Sequence, residues 1–509
     1  MAKKYTTPGV YINEKNAFPN SAVPVATAVP AFVGYTEKAL RNQKDLTNRP
    51  TRISSFGEYV LYFGGAPHTT YALEADSHVP AGYQLHVQSN HFLLYHSIRL
   101  FFANGGSDCY IVSIGNYNND VIIDTNFNSK EENIFYKGIS TLLKEKEPTL
   151  LVIPDAILLS PSSCARVQQW MLEHCQQMQS QFAILDVYMD MTGGKDEQKP
   201  NTPDIIQAFR DSIGINSLQW GAAYYPWLRT TIVQETELNY TNVDSESFPV
   251  LIELLEKEVK EQETKNFIKP ELANAIRAAI KKIGTTTDDK EVLAIHQNLY
   301  AVSALYKSII KTIQRKMNLL PPSGGVAGVY CMVDNNVGVF QSPANTSIIS
   351  VVEPFVNLNN TEQEFLNVSI DGKSVNAIRS FPGKGVLIWG ARTLDGNSQE
   401  WLYVNVRRTA IFIEQSVKSA IEAYVFEPND ANTWTNIRSL ITNFLIGVWK
   451  MGALAGAKPE NAFAVNIGLG TTMTSVDIMN GILRINVMVA IIRPAEFIVI
   501  TLEQKMQGG

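Results

Sequence analysis

Two short apolar runs, separated by a longer run with helical spacing, stand out in the middle of the chain. The apolar runs cover 150–155 and 182–186, and the helical spacing covers 163–179. Strand, helix and strand in this order predict a parallel sheet covered by helices. Similar runs at 31–35 and 109–114 predict two further strands, and we expect the first to be buried.

Each of the two middle strands ends in an aspartate, Asp155 and Asp186. The carboxyl edge of a parallel sheet is a common place for an active site. Aspartate also caps turns with its side-chain oxygens. Because no companion motif accompanies either residue, we favour the turn-capping interpretation.

The segment 246–317 is charged and helical. Apolar residues recur there with amphipathic spacing over 248–265, 270–283 and 290–316. Because this segment interrupts α/β sequence, we interpret it as an insertion or an outward decoration. A helix is also predicted at 92–102, ending at an Asn-Gly-Gly stop signal.

The last third of the chain has the clearest patterns. Loops and strands are predicted over 318–400, with an apolar run at 326–334. After them come helices at 409–424 and 434–454, then strands at 462–469 and 481–492.

Both ends of the sequence predict extended arms. Prolines punctuate residues 1–30 and oppose helix there, while β-branched residues favour extended backbone. The β-prone residues of the N-terminal arm are Val10, Tyr11, Ile12, Val23 and Val25. The C-terminal arm is a β-prone strand of Phe497, Ile498, Val499, Ile500, Thr501 and Leu502. A lone terminal strand must find a sheet edge, and a neighbouring subunit can offer one.

We predict a mixed α/β and α+β chain of several domains, because 509 residues exceed what one core usually serves. A core formed by the N-terminal segment and the C-terminal third would carry an inserted outer α/β domain. The predicted divisions are an arm at 1–30, the first part of the core and the start of the insertion at 31–120, the outer domain at 121–340 with its helical insertion, the C-terminal core at 341–495 and the arm strand at 496–509.

Composition narrows the class of protein. Hydrophobic residues make up 45% and charged residues 18%, which indicates a folded chain. A net charge of -6 gives no electrostatic reason to expect nucleic-acid binding. The four cysteines are scattered, and neither a signal peptide nor a transmembrane stretch is visible. We therefore expect assembly in a reducing cytoplasm, with no direct membrane insertion.

The search for catalytic chemistry finds little. No phosphate-binding loop is present, and Gly468 and Gly470 lack the third glycine of a dinucleotide fingerprint. His86, His91 and His96 are five residues apart, whereas metal-binding pairs on a helix are three or four apart. We predict no catalytic residue, no cofactor and no metal, and hence a protein that is not an enzyme.

Short motifs instead follow one another through the chain in a fixed order. They are 8–12 (PGVYI), 101–106 (FFANGG), 322–328 (PSGGVAG), 343–345 (PAN), 382–394 (PGKGVLIWGARTL), 401–408 (WLYVNVRR), 426–430 (FEPND), Trp434, 444–445 (FL), 452–456 (GALAG) and 494–498 (PAEFI). This ordered set resembles the contractile tail sheath family, which includes sheaths of phage tails, R-type pyocins and extracellular contractile injection systems. The segment 246–317 looks longer than a minimal sheath needs.

The resemblance implies a structural subunit that polymerises around an inner tube and contracts from a metastable extended state. Subunits would form a homo-oligomer of stacked rings, linked by strands shared from both termini. The implied partners are the inner tube protein, baseplate proteins, a tail-terminator cap and, as a further candidate, a second sheath paralogue. The particle would be released by lysis or anchored at the envelope.

We expect several motif residues to stabilise the structure rather than to bind a substrate. These are Trp389, Arg392, Trp401, Arg407, Arg408, Glu427, Pro428 and Trp434. Buried arginines need partners, and Glu427 or another carboxylate could pair with Arg407 or Arg408. The tryptophans fit anchors of a core or of a subunit contact.

Basic residues of the helix predicted at 434–454 are candidates for touching the tube. They are Arg438 and Lys450, together with nearby Lys458. The alternative is that they are solvated or stabilise the helix C-terminus. Two other functions remain open: another tail or baseplate component, and a cytoplasmic α/β enzyme built on 136–228.

Overall fold

The computed structural model of the chain describes residues 24–89, 91–117, 130–190, 201–367 and 371–497. In chain order the strands are β1 Pro30–Thr36, β2 Leu40–Arg41, β3 Lys44–Asp45, β4 Thr51–Ile53, β5 Thr70–Ala75, β6 Tyr83–Ser89, β7 Cys109–Asn116, β8 Leu150–Val152, β9 Phe182–Asp186, β10 Gly221–Tyr225, β11 Leu228–Thr230, β12 Leu319–Leu320, β13 Thr346–Ser347, β14 Val351–Pro354, β15 Asn376–Phe381, β16 Gly385–Ile388, β17 Phe463–Asn466 and β18 Asn486–Val489.

The helices of the described residues are α1 Phe56–Phe63, α2 Leu94–Ala103, α3 Ile134–Thr141, α4 Pro161–Met178, α5 Thr202–Ile213, α6 Phe248–Thr264, α7 Pro270–Ile280, α8 Asp289–Val302, α9 Ala304–Met317, α10 Ser323–Asn336, α11 Asn360–Asn367, α12 Val404–Ile421, α13 Ala431–Lys450, α14 Pro459–Ala462 and α15 Ser475–Met479. Among these helices, none combines the length and the apolar character that crossing a membrane requires. Mixed helices and strands in several sheets confirm the predicted fold class.

The described residues divide into two compact units. The small unit comprises 24–25 and 409–493, and the large unit comprises 26–408 and 494–497. The chain therefore passes from one unit to the other at three places: after Val25, after Arg408 and after Arg493. The domain limits drawn from the sequence stay a prediction.

A nine-stranded sheet forms the centre of the large unit, in the order β13-β16-β15-β10-β9-β8-β1-β7-β4. The six strands from β15 to β7 run parallel, whereas β4, β16 and β13 are antiparallel to their neighbours. The parallel sheet predicted from the middle of the chain is confirmed. Its central strands are fully buried, as expected for a parallel sheet with both faces covered.

Helices cover both faces of this sheet. On one face Phe32 of β1 meets Phe101 of α2, with ring centroids 5.2 Å apart. On the other face Gly138 of α3 lies so close to Val33 that an added Cβ would come within 2.9 Å of its Cγ1. Successive residues of one strand thus contact different layers, because side chains alternate along a strand.

Helix α10 corrects the sequence analysis, which expected loops and strands over 318–400 and an apolar run at 326–334. The run is helical because packing overrides its strand-like composition. Every residue from Ser323 to Cys331 is buried, so no polar face produces a helical period. Gly324 and Gly328 allow close approach to α2: an added Cβ would lie 2.5 Å from the carbonyl oxygens of Ser97 and Phe101 respectively.

Helices α6 to α9 pack with the β5–β6 hairpin around a separate apolar cluster within the large unit. Leu255, Ile276, Leu299 and Ile309 belong to this cluster. The amphipathic helical spacing predicted over 290–316 is confirmed, but it forms two helices, because the chain breaks between α8 and α9 at Ser303. The Ser303 hydroxyl accepts a hydrogen bond from the backbone N–H of Tyr306 and caps α9.

The small unit contains most of α12, the helices α13 to α15 and a two-stranded sheet of β17 and β18. Helix α13 buries a stripe of apolar residues at helical spacing, from Ile437 to Val448. Phe444 of this stripe meets Phe412 of α12, with ring centroids 5.9 Å apart. The two strands are shorter than predicted, since only four residues of each form the ladder.

Candidate assembly site

Arg407 and Arg408 lie in the first turns of α12, where the chain is about to enter the small unit. The Arg407 guanidinium lies between two indole rings, 3.6 Å from the ring centroid of Trp220 and 4.5 Å from that of Trp401. Cation–π contact of this kind is strongest when the groups are shielded from water, and Arg407 is buried. The arrangement fixes the beginning of α12 to the large unit.

The Arg408 guanidinium forms a bidentate ion pair with the Asp334 carboxylate, with nitrogen–oxygen distances of 2.6 and 3.0 Å. Both side chains are almost completely buried. Burial acts to lower the pKa of Arg408, but the charge and the hydrogen bonds of Asp334, together with smaller effects of Tyr330 and Cys331, hold the pKa above its ordinary value. Arg408 also donates to the carbonyl oxygen of Thr27 at 2.9 Å, and so holds the chain just after the first crossing between the units.

Arg392 holds the chain just after the third crossing. Its guanidinium donates to the Glu496 carboxylate at 2.7, 3.0 and 3.1 Å, and to the carbonyl oxygen of Asn367 at 2.8 Å. The Tyr403 hydroxyl donates to the same carboxylate at 3.1 Å. The following residue, Phe497, is 72% exposed. Arginine side chains thus fix the large-unit end of every passage between the units.

The sequence predicts a carboxylate partner for Arg407 or Arg408, and the structure pairs Arg408, and also Arg392, with one. The partner of Arg408 is Asp334 and that of Arg392 is Glu496, whereas Glu427 lies exposed in the small unit. Sequence reasoning missed Asp334 because it lies 74 residues from Arg408 along the chain. It also missed Glu496 as a partner, although the residue was part of a recognised motif.

The loop at 426–430 lies on the surface of the small unit. Phe426 is fully exposed and adopts a left-handed backbone conformation with φ of 73°, and Pro428 is exposed as well. Asn429 ties this loop to the unit: its side-chain oxygen accepts from Trp434 Nε1 at 2.7 Å and its nitrogen donates to the Ile482 carbonyl at 3.2 Å.

The other predicted structural tryptophan and the predicted tube-facing residues occupy different settings. Trp389 is half-buried in the large unit and packs on Phe381, with ring centroids 4.5 Å apart. Arg438, Lys450 and Lys458 are all exposed in the small unit, and Arg438 donates to the carbonyl oxygen of Ile467. Their contact with a tube stays a prediction.

Strand β18 has an open edge. Ala490 donates to the Ala462 carbonyl, and the β17–β18 pairing then directs the backbone groups of Met488 towards β17. Since alternate residues of a strand point their N–H and C=O groups to opposite edges, those of Val487 and Val489 face outwards. No strand within the described part of the chain pairs with that edge.

The arms lie mostly outside the described residues. Val10, Tyr11, Ile12 and Val23 of the N-terminal arm do so, as do the C-terminal residues Ile498, Val499, Ile500, Thr501 and Leu502. Val25 is half-buried, and its backbone N–H donates to the Ser416 hydroxyl at 3.2 Å. Pairing of either arm with a neighbour stays a prediction.

The two aspartates at the carboxyl edge of the large sheet are buried structural groups. Asp155 accepts from the backbone N–H groups of Tyr35, Leu93 and Leu94, at 2.7 to 3.1 Å. Asp186 accepts from the N–H of Ser323 at 2.8 Å and from its hydroxyl at 2.5 Å. They cap α2 and α10 rather than the turns that follow them, which corrects the predicted partners but keeps the capping role.

Desolvation of these carboxyl groups raises the pKa of Asp155 to about 6 and that of Asp186 to about 7, against the hydrogen bonds that favour ionisation. Among the described residues, no group of histidine, cysteine and acidic side chains could hold a metal ion. The four cysteines are buried free thiols.

Comparison with known proteins agrees with the recognised motifs. The family described as the phage tail sheath C-terminal domain matches residues 397–505. The tail sheath protein of Salmonella phage ViI is 22% identical over 214 residues, which cover 40% of this chain and 32% of the phage protein. The match therefore spans about a third of that relative's length.

Solved structures extend the likeness to the whole chain. The sheath of the extracellular contractile injection system PVC, in its contracted state, superposes with a TM-score of 0.60 at 25% identity and covers 99% of both chains. The contracted helical sheath of the anti-feeding prophage gives a TM-score of 0.59 at 25% identity, covering 98% of this chain and 100% of the other. None of these proteins is described as an enzyme. The C-terminal part of the chain thus matches the phage tail sheath C-terminal domain, and the chain as a whole is similar in fold to contractile sheath proteins.

Proposed function

We propose that this protein is the repeating subunit of a contractile sheath, in which neighbouring copies are joined by strand exchange. The open edge of β18 carries the proposal. A two-stranded sheet is marginally stable in water, and unpaired backbone groups at an edge recruit another strand. The edge lies in the small unit, within the part of the chain that matches the sheath C-terminal domain.

The arms provide the strands that this edge needs. Residues 497–502 form a nearly continuous apolar run of β-prone residues, and residues 10–12 offer a second β-prone run. In β-augmentation, main-chain hydrogen bonds supply affinity and alternate side chains supply specificity. An arm of one copy on β18 of the next would extend the two-stranded sheet to three or more strands and link the copies through backbone hydrogen bonds.

Contraction then needs no bound nucleotide. Copies assembled in an extended, metastable lattice around an inner tube would move to a packing of lower free energy, while the exchanged strands stay paired. The sheath would begin at a baseplate and end at a terminator protein, with a second sheath paralogue as a further candidate partner. The particle would assemble in the cytoplasm of the producing cell and act outside it.

The edge can be tested without disturbing the fold. Val487→Pro removes one outward N–H and places a ring against any incoming strand, but leaves the β17 ladder intact. Val487→Thr is the matched control, because it keeps the N–H and a β-branched side chain. We expect Val487→Pro, and deletion of 498–509, to give folded monomers, and Val487→Thr to give sheaths in negative-stain electron microscopy.

Two results would count against the proposal. One is normal sheath length in both Val487→Pro and the deletion variant, which would show that strand exchange does not hold the copies together. The other is failure of the unmodified chain to form cylinders when it is produced with the other components of its particle.

A further inference from the structure

The C-terminal arm starts from a strongly held residue. Glu496 is the last residue before exposed Phe497, and its carboxylate receives three hydrogen bonds from Arg392 and one from Tyr403. The Arg392 and Glu496 side chains are only 10% and 20% exposed. Salt screens a partly buried pair much less than a surface pair.

The two residues that hold Glu496 are themselves fixed in advance. The backbone of Arg392 forms a bridge with that of Tyr403, so the two side chains are cross-strand neighbours. The Asn376 side chain accepts from the Arg392 N–H and donates to its carbonyl, both at 2.8 Å. These bonds hold the backbone of Arg392, and the Asn367 carbonyl accepts from one guanidinium nitrogen at 2.8 Å, so the side chain is directed towards Glu496.

The path of the chain indicates how the Glu496 contact would respond to force on the C-terminal arm. The small unit ends at Arg493, and three residues later the chain is bound to the large unit through Glu496. Upstream of Arg493 lies β18, whose ladder with β17 is only four residues long. Without the Glu496 contact, a pull on the arm would pass directly to β18 and peel it from β17.

We propose that Arg392 and Tyr403 form an anchor for the C-terminal arm, which delivers tension in the arm to the large unit and protects the β17–β18 sheet. The inference rests on the proposed sheath function, since only an assembled sheath puts the arm under load. Arg392 and Tyr403 act as positioning residues: they fix Glu496 and do not themselves contact the neighbouring copy.

The free subunit offers a first measurement. A protease needs several extended residues on both sides of the bond it cuts, so cleavage after Phe497 requires 494–497 to leave the large unit. Loss of the charged hydrogen bonds in Glu496→Gln should speed chymotryptic cleavage there by about tenfold, because cleavage follows the population of the open form. Tyr403→Phe, which removes one hydroxyl, should give an increase of about two- to fivefold with the fold intact.

Glu237→Gln is the matched control. Glu237 also accepts two hydrogen bonds from one arginine, Arg99, at 2.8 and 3.0 Å, and that pair is likewise partly buried in the large unit. Its loss should leave cleavage after Phe497 unchanged. The double variant Arg392→Gln/Glu496→Gln should be cleaved no faster than Glu496→Gln alone, because both changes break the same contact.

The assembled sheath offers the decisive measurement. Extended sheaths of Glu496→Gln should match unmodified ones in length, but triggered contraction should break them, so that the mean length of continuous contracted sheath falls severalfold. Contraction of Glu496→Gln and Tyr403→Phe sheaths without breakage, and with cleavage rates equal to those of Glu237→Gln, would overturn the anchor. Failure of the unmodified chain to form sheaths would instead reject the proposed function.

Discussion

Ionisation of Asp186 should destabilise the folded protein, whereas ionisation of a capping aspartate usually stabilises it. The Asp186 carboxyl group is fully buried at the end of β9 and receives two hydrogen bonds from Ser323 at the beginning of α10. A helix N-terminus favours a negative charge there. Desolvation acts in the opposite direction and is the larger effect, since it raises the pKa of Asp186 from 3.8 to about 7.

The sign of the linkage follows from this rise. Because the folded protein holds the proton more tightly than the unfolded chain, the contribution of Asp186 to stability is full below pH 4. It is lost progressively as the pH rises through 7. A rise of about three pKa units corresponds to an upper bound of ~4 kcal/mol on the cost of ionising the folded protein. Asp186→Asn keeps the size of the side chain, has no charge, and can accept from the Ser323 N–H while donating to its hydroxyl.

We therefore expect Asp186→Asn to match the unmodified protein near pH 4 and to exceed its stability at pH 8 by about 2–4 kcal/mol. A two-unit chain does not unfold in one step, so the measurement is hydrogen exchange of the amides in β9 and α10 at several pH values. All other titrating groups are common to both proteins and cancel in the difference. A difference that does not change with pH, or a loss of stability at pH 8, would refute the dominance of desolvation.

Asp155→Asn provides the contrast. Asp155 receives three backbone N–H groups on its two oxygens. An asparagine would turn its amide N–H₂ towards one of these donors and leave that donor unpaired, at a cost of about 1–3 kcal/mol. We expect this variant to be destabilised at pH 4, where Asp186→Asn is neutral.

Two further sets of variants test close helix packing and the buried ion pair. Gly328→Val would force Cβ against the Phe101 carbonyl oxygen and should destabilise the large unit by about 3 kcal/mol, measured by hydrogen exchange of the amides in α10. Gly447→Ala, at an exposed helix position of the small unit with open space, should instead stabilise that unit slightly. Arg408→Met leaves Asp334 buried without its partner and should cost about 3–5 kcal/mol, most of which the double variant Arg408→Met/Asp334→Leu should restore. Equal instability of the single and double variants would contradict the ion-pair argument.

Local patterns predicted those elements in which burial is one-sided or continuous along a strand. Four strands of the large sheet and helix α4 follow from apolar runs and their spacing, because such runs have few other ways to bury themselves. Helix α10 could not be recognised in this way. Its environment is apolar all round, and its glycines, which usually weaken a helix, are needed for contact with α2.

The sequence indicates that buried arginines of the candidate site need partners, but not which residues these partners are. A buried arginine needs partners, and the sequence therefore predicts a carboxylate partner for Arg407 or Arg408. Which carboxylates serve depends on the tertiary fold, which brings Asp334 and Glu496 from 74 and 104 residues away along the chain. The open edge of β18 could not be predicted from the sequence, because sequence patterns predict strands but not which strands pair with them.

The open edge of β18 also exposes the unassembled subunit to incorrect strand pairing in the cell that produces it. Val487 and Val489 present outward-facing backbone groups on a half-buried edge, and main-chain pairing at such an edge is open to foreign strands as well as to the correct one. Misassembly therefore rises with the concentration of unassembled chains, so production of the subunit must be matched to the supply of growing ends. In the laboratory, the same property makes low protein concentration, or a peptide that occupies the edge, the way to keep the subunit monomeric.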